Sequence, residues 1–267
     1  RHLLYLAMEY LDGCTLLDII EREGAISPIR TLGIIEQVAA SLQEAHDRGI
    51  IHRDLKPANI MLITREGNNS FVKVIDFGIA VIFNQAQQEQ QADHPRLTRS
   101  GMVMGTPHYM APEQIRHQPL DHRVDVYALG VLTFEMLAGR RPFVGQTPID
   151  IMRKHLEARP PLLHTIASGL SPSLSALMNW VMAKAPTDRP QSVIEFANAF
   201  RDALLQNEDN TARVSPQDAR SLQHFLQAAH SAATAAASAP NPATTNPLKP
   251  VPVATPAPTP TTAPTAA

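Results

Sequence analysis

The stretch IIHRDLKPANIML, residues 50–62, sets His52, Arg53, Asp54, Lys56 and Asn59 between two apolar runs. Apolar flanks of this kind bury, so the polar middle forms a loop held between buried segments. A carboxylate can orient a hydroxyl and take its proton, and an ammonium nearby can stabilise the charge of a phosphoryl group. Asp54 and Lys56 supply that pair. Nothing N-terminal to the loop is glycine-rich, so backbone N–H groups that would cradle a phosphate are not found there.

Working outward, SPIRTLGIIEQVAASLQEAHDRG (27–49) predicts a helix. Ser27 suits the N-cap and Pro28 the first turn. Ile34, Ile35, Val38, Leu42 and Ala45 share one face, and Gly49 can end the helix in a left-handed turn. After the loop, strands are expected near Ile60–Ile63 and Phe71–Ile75, joined by the turn-rich TREGNNS. VDVYALGVLTFEMLAG (124–139) is apolar almost all round, which predicts a buried helix stopping at Gly139. Further helices are expected from Thr147-Pro148, Ser171-Pro172 and Ser192, the last running to about Leu205. Leu3–Tyr10 has strand character but no partner strand before it. Residues 84–96, polar and without period, are expected to be a mobile loop.

The 267 residues are 44% hydrophobic and 18% charged, which fits a globular domain with a core. A net charge of −2 gives no general attraction to nucleic acid or to an acidic membrane. A single cysteine, Cys14, excludes an internal disulfide and favours a reducing compartment such as the cytoplasm. No apolar run reaches membrane-spanning length. The histidines show no metal-site spacing. Residues 206–238 include a narrow apolar stripe (Leu222, Phe225, Leu226, Ala229) compatible with one more helix. Residues 239–267 are mostly Pro, Thr and Ala, and are expected to be a disordered tail.

HRDLKPAN, followed by DFG at 76–78 and APE at 111–113, resembles the large C-terminal lobe of a serine/threonine protein kinase, over residues 1–205. GTPHYMAPEQ and MEYLDGCTLLDII resemble bacterial members. The resemblance implies an α+β, mainly α-helical fold, and ATP and Mg²⁺ as cofactors. It implies transfer of the γ-phosphoryl group to protein Ser or Thr hydroxyls. By resemblance, Asp54 is the base, Lys56 the charge stabiliser, and Asn59 and Asp76 the metal ligands. Thr106 helps hold the acceptor; its plain alternative is a turn threonine. Met8, Glu9 and Leu11 form the hinge against adenine, Met61 packs under the ring, and Asp18 reaches the ribose. The plain alternatives there are a strand end and a helix-start aspartate.

Arg53 is expected to receive a phosphate placed on Thr98 or Ser100. His52 and Phe77 resemble part of an internal stack. Glu113 is expected to pair with Arg189. Asp125 is expected to brace the loop backbone, because a carboxylate in so apolar a helix needs partners; a helix-dipole role is compatible with this. The family also needs a glycine-rich loop and a strand lysine, and no GxGxxG occurs in the chain. The chain is therefore expected to carry the large lobe with a truncated hinge strand, the small lobe lying upstream. A lone lobe acting as a catalytically inactive binding or scaffold module is the alternative.

Overall fold

The computed structural model describes residues 8–65, 68–77, 107–167 and 169–205. Thr98, Ser100, Thr106, the loop at 84–96 and both segments after 205 lie outside the described residues.

The chain enters the fold through a short strand, β1 (Gly13–Thr15), and helix α1 (Leu16–Glu23). Thr15 Oγ1 accepts from Asp18 N at 3.1 Å, and Asp18 Oδ2 accepts from Thr15 N at 2.8 Å. This reciprocal box satisfies donors that a helix start leaves free. Leu16, Ile19 and Ile20 form the buried face of α1. Helix α2 (Pro28–His46) starts at Ser27, whose side chain accepts from Arg30 N, and has proline in its first turn. Gly49 follows it with φ 74°.

A turn of 3-10 helix (Pro57–Asn59) then leads into β2 (Ile60–Arg65), which pairs antiparallel with β3 (Asn68–Val74) and on its other edge with β1. Leu62 sits opposite both Cys14 and Val72. Both strands run further into TREGNNS than the turn residues suggested, because the Arg65↔Asn68 pair closes a tight hairpin after an irregularity at Ile63/Arg65. The expected strand over Leu3–Tyr10 is corrected at its described end: residues 8–12 carry no ladder, and pairing begins at Gly13. Residues 1–7 lie outside the described residues. A Cβ on Gly13 would stand 2.2 Å from the Leu62 carbonyl oxygen, so this close approach of the two strands requires glycine.

The rest is helical: α3 (Pro112–Ile115), α4 (Arg123–Ala138), α5 (Pro148–Glu157), α6 (Leu163–Ile166), α7 (Pro172–Val181) and α8 (Val193–Leu205). Thr147 and Ser171 cap α5 and α7, and Ser192 Oγ accepts from Glu195 N at 3.0 Å at the start of α8. Helix α4 is the core element, with every residue from Val124 to Leu137 buried. It ends at Gly139 in the left-handed conformation, φ 64°, which glycine adopts without Cβ strain. Helices α2, α7 and α8 pack around it, and Gln37 ties α2 to the sheet by accepting from Val72 N at 3.0 Å. Among the described residues no helix is long and apolar enough to cross a membrane.

Candidate active site

The charged loop is suspended from the buried helix. Asp125, in the first turn of α4, is buried. Its Oδ1 accepts from Arg53 N at 2.9 Å and its Oδ2 from His52 N at 2.8 Å. Hydrogen bonds from several donors are what make a buried carboxylate tolerable. A third donor comes from α2: His46 Nε2 donates to Asp125 Oδ2 at 2.8 Å. The backbone between α2 and the 3-10 turn is thereby fixed at two successive amides.

His52 is fully buried and points the other way. Its Nδ1 accepts from Asp54 N at 3.3 Å, so the proton sits on Nε2, which donates to Ile75 O at 3.0 Å. Its ring lies 4.9 Å from that of Phe77. Ile75 N donates to Asn59 O at 2.9 Å. These contacts lock the segment containing Asp76 to the segment containing Asp54. Arg53 and Asp76 both adopt left-handed backbone, φ 65° and 60°, a conformation that costs non-glycine residues about 1–3 kcal/mol and persists where the surroundings impose it. Gln114 Nε2 donates to Arg53 O at 2.8 Å, adding a tie to α3.

Asp54 and Lys56 point outward. Lys56 Nζ is 2.6 Å from Asp54 Oδ2, and the pair is solvent-exposed, where such a bridge contributes at most about 1 kcal/mol. The lysine is therefore free to exchange this partner for another anion. Buried Asn59 donates from Nδ2 to Asp54 O at 2.9 Å, so its amide nitrogen is turned to the loop backbone. The Asp76 carboxylate is exposed and has no partner among the described residues. An amide oxygen and a free carboxylate are hard donors of the kind Mg²⁺ takes, alongside water and phosphate oxygens. Among the described residues no group of three or more His, Cys, Asp or Glu could hold a metal ion.

Met8 and Glu9 are exposed and Leu11 is half-buried. Glu9 reaches across to β3, its Oε2 lying 2.5 Å from Lys73 Nζ. Met61 is half-buried on β2, between Thr15 and Lys73 in the register. Asp18 Oδ2 is engaged by Thr15 in the helix cap. The capping pattern T-x-x-D is legible in the sequence.

Below the loop, Arg189 is buried with Glu113, Nη1 to Oε1 and Nη2 to Oε2 both 2.7 Å. Three residues with prominent contacts carried no clear sequence signal. His46 is one. His155, on α5, is fully buried against Tyr127; its only advance sign was sharing the buried face of α5 with Ile151 four residues before. Lys184 holds its Nζ over the Phe143 ring, 4.7 Å from the centroid, with no hydrogen-bond partner among the described residues. Burial first, and then the charges of Arg189 and Arg116, push its ammonium down to about 8.

A mainly helical domain with a small antiparallel sheet, carrying a charged loop braced from a buried helix, has the architecture of a protein kinase domain. The chain belongs to the protein kinase family: the family model for the protein kinase domain matches residues 1–202. It is 42% identical over 212 residues to the serine/threonine-protein kinase pkn3 of Myxococcus xanthus, covering 79% of this chain and 37% of that protein. It is 36% identical over 213 residues to the serine/threonine-protein kinase PknB of Mycolicibacterium smegmatis, covering 80% and 32%. The chain thus spans about a third of the length of these curated relatives. The crystal structure of a double mutant of the Mycobacterium tuberculosis PknI kinase domain superposes with a TM-score of 0.53 at 27% identity, covering 73% of this chain and 64% of that one.

Proposed function

We propose that this chain is the large-lobe part of a serine/threonine protein kinase that moves the γ-phosphoryl group of ATP to Ser or Thr hydroxyls of other proteins. The observation that carries the reading is the loop Asp54–Asn59. An exposed carboxylate, the exchangeable ammonium paired with it and a buried amide project from a backbone held by Asp125.

In this reading the acceptor hydroxyl donates to Asp54, its oxygen bonds to the γ-phosphorus, and the bond from that phosphorus to the β–γ bridging oxygen breaks. The hydroxyl proton passes to Asp54 and ADP leaves. Lys56 gives up Asp54 to meet the charge on the moving group. Asn59 and Asp76 hold Mg²⁺, which when bound neutralises charge on the phosphate oxygens. Backbone groups of Glu9 and Leu11 hold the adenine edge, with Met8 at the inner end of the hinge and Met61 under the ring; Asp18 keeps its other oxygen for the ribose. Thr106 holds the acceptor side. Arg53 receives a phosphate on Thr98 or Ser100, which orders the segment between Asp76 and Glu113. Residues 1–205 form the kinase portion, 206–238 a linker with one amphipathic stretch, and 239–267 an extended tail. The single cysteine supports a reducing compartment such as the cytoplasm for the domain.

The 267 residues contain no GxGxxG stretch, so the loop over the phosphates and its lysine come from outside them on this reading. That same feature favours a second reading, a docking module that transfers nothing. The test is phosphate incorporation from Mg-ATP into a generic protein acceptor by the intact kinase, small-lobe residues included. Asp54→Asn is expected to lower turnover about 10²–10⁴-fold with nucleotide binding retained. Equal turnover in wild type and Asp54→Asn overturns the assignment of the base, and a wild-type protein that binds nucleotide without transfer supports the docking module.

A further inference from the structure

One buried polar group on α5 is used by none of the steps above. His155 is fully buried. Its ring packs edge-on to Phe143, centroids 4.7 Å apart, and tilts against Tyr127 at 5.8 Å. Tyr127 Oη and His155 Nδ1 are 2.9 Å apart in the interior. Burial raises the Tyr127 phenol, so it keeps its proton. Burial first, and the charge of Lys184 next, push His155 down to about 3. The imidazole is therefore neutral, and in the tautomer whose Nδ1 accepts from the Tyr127 hydroxyl the ring proton sits on Nε2.

Among the described residues Nε2 closes no hydrogen bond of good geometry, yet the backbone of His108 is near enough to favour the protonated ring. His108 belongs to the 3-10 turn Pro107–Tyr109, which packs on α5. The other ionisable groups around the ring come from several elements. Lys184 and Arg189 lie in the segment after α7, Glu113 and Arg116 on α3 and beyond its end, and the His108 side chain on the turn itself. The Arg189 guanidinium stacks over the far face of Tyr127, 4.8 Å from its centroid. A continuous run of contacts thus goes from Glu113 through Arg189, Tyr127 and His155 to the backbone beside His108.

We propose that His155 is a positioning residue for the acceptor. Hydrogen-bonded by Tyr127 and packed on Phe143, it fixes the backbone of residues 107–111, the stretch that follows Thr106 and connects to α3. This rests on the kinase reading for what the stretch does, but the placement of the stretch is testable without it. A side chain that only filled space would tolerate loss of its hydrogen bond. One that sets a binding surface would not, since small misplacements of reacting partners are costly.

The experiment uses Tyr127→Phe, which removes one oxygen and leaves the packing, together with His155→Phe, His155→Gln and the Tyr127→Phe/His155→Phe double variant. In the intact kinase, KM for a peptide acceptor is expected to rise about tenfold in Tyr127→Phe and His155→Phe. KM for ATP and the slow hydrolysis of ATP by water are expected to stay within about twofold. The double variant should be no worse than either single one, because both remove the same contact. His155→Gln, which can still accept from Tyr127, should recover most of the loss. An unchanged acceptor KM in folded Tyr127→Phe overturns the proposal, and so does an equal rise in both KM values. If the wild type transfers no phosphate, the kinase reading has failed and amide exchange decides the placement. Faster exchange at Tyr109–Ala111 in Tyr127→Phe is expected, and unaltered exchange there overturns the inference.

Discussion

Arg189 and Glu113 face one another through two parallel hydrogen bonds of 2.7 Å, both side chains being almost wholly removed from solvent. The guanidinium also donates to the carbonyl oxygens of Ala183, Arg123 and Lys184. It joins α3, the start of α4 and the segment after α7. Burying two charges costs solvation, and the fork geometry with its extra acceptors offsets that cost only while both partners are present.

Arg189→Ala is therefore expected to destabilise the domain by roughly 3–5 kcal/mol, chiefly by leaving Glu113 charged and alone. Arg189→Lys should recover little, because an ammonium cannot make the two-point contact. Chemical denaturation checks both. A loss below about 1 kcal/mol in Arg189→Ala would show that water reaches Glu113.

Asp125 is a carboxylate that serves a loop rather than its own helix. Asp125→Asn puts an NH₂ group where one oxygen now accepts, so the amide of His52 or that of Arg53 faces another donor. A cost of about 3 kcal/mol is expected, as for a buried charged hydrogen bond lost. The distinguishing measurement is local: amide exchange at His52 and Arg53 should accelerate far more than exchange in α7. Uniform acceleration across the domain would mean that Asp125 acts only on global stability.

The helices that begin at Ser27-Pro28, Thr147-Pro148 and Ser171-Pro172 were legible because a cap and the proline after it act within one turn. Helix α4 was legible from its unbroken apolar content. Helices α3 and α6, four residues each, are too short to show a period. Strand β1 is three residues long and exists because β2 offers an edge, a fact of the tertiary structure. In the site, the identities of Asp54, Lys56, Asn59 and Asp76 could be read directly from the chain. The left-handed backbone at Arg53 and Asp76 could not, since neither residue type announces it. That Asp125 needs partners followed from the cost of burying a carboxylate. That one of them is His46, 79 positions away, depends on how α2 packs against α4.

Gly130 shows where packing overrules propensity. A Cβ there would stand 2.5 Å from Val181 Cγ1. Gly130→Ala gains about 1 kcal/mol of helix propensity, but overpacking against a stiff β-branched neighbour costs about 1–3 kcal/mol. The variant is expected to be less stable than wild type. In a Val181→Ala background both methyl groups are gone and only the Cβ at 3.2 Å remains, so the same substitution should cost much less. Melting temperatures of the four proteins test this, and an equal effect in both backgrounds would rule out the contact as the cause.

Lys184 gives a pH dependence with a definite sign. Its ammonium is held at about 8 in the folded protein against an ordinary 10.5, through burial and the charges of Arg189 and Arg116. Between those values the unfolded chain binds a proton that the folded one has released. Stability therefore rises with pH across about 8 to 10.5, and the penalty is present in full below 8. His155 behaves likewise at the acid end, its penalty lying below the ordinary 6.5 and growing toward about 3. Lys184→Met keeps the stem over Phe143 and removes the charge, so the variant should be more stable than wild type at pH 7. The two proteins should converge as pH approaches 10. Denaturation at a series of pH values from 7 to 10 reads both the offset and its disappearance. A constant difference across that range would mean that Lys184 is protonated throughout, with an anion or water meeting its Nζ. A wild type more stable than Lys184→Met at pH 7 would make the contact of the ammonium with the Phe143 face a net stabiliser.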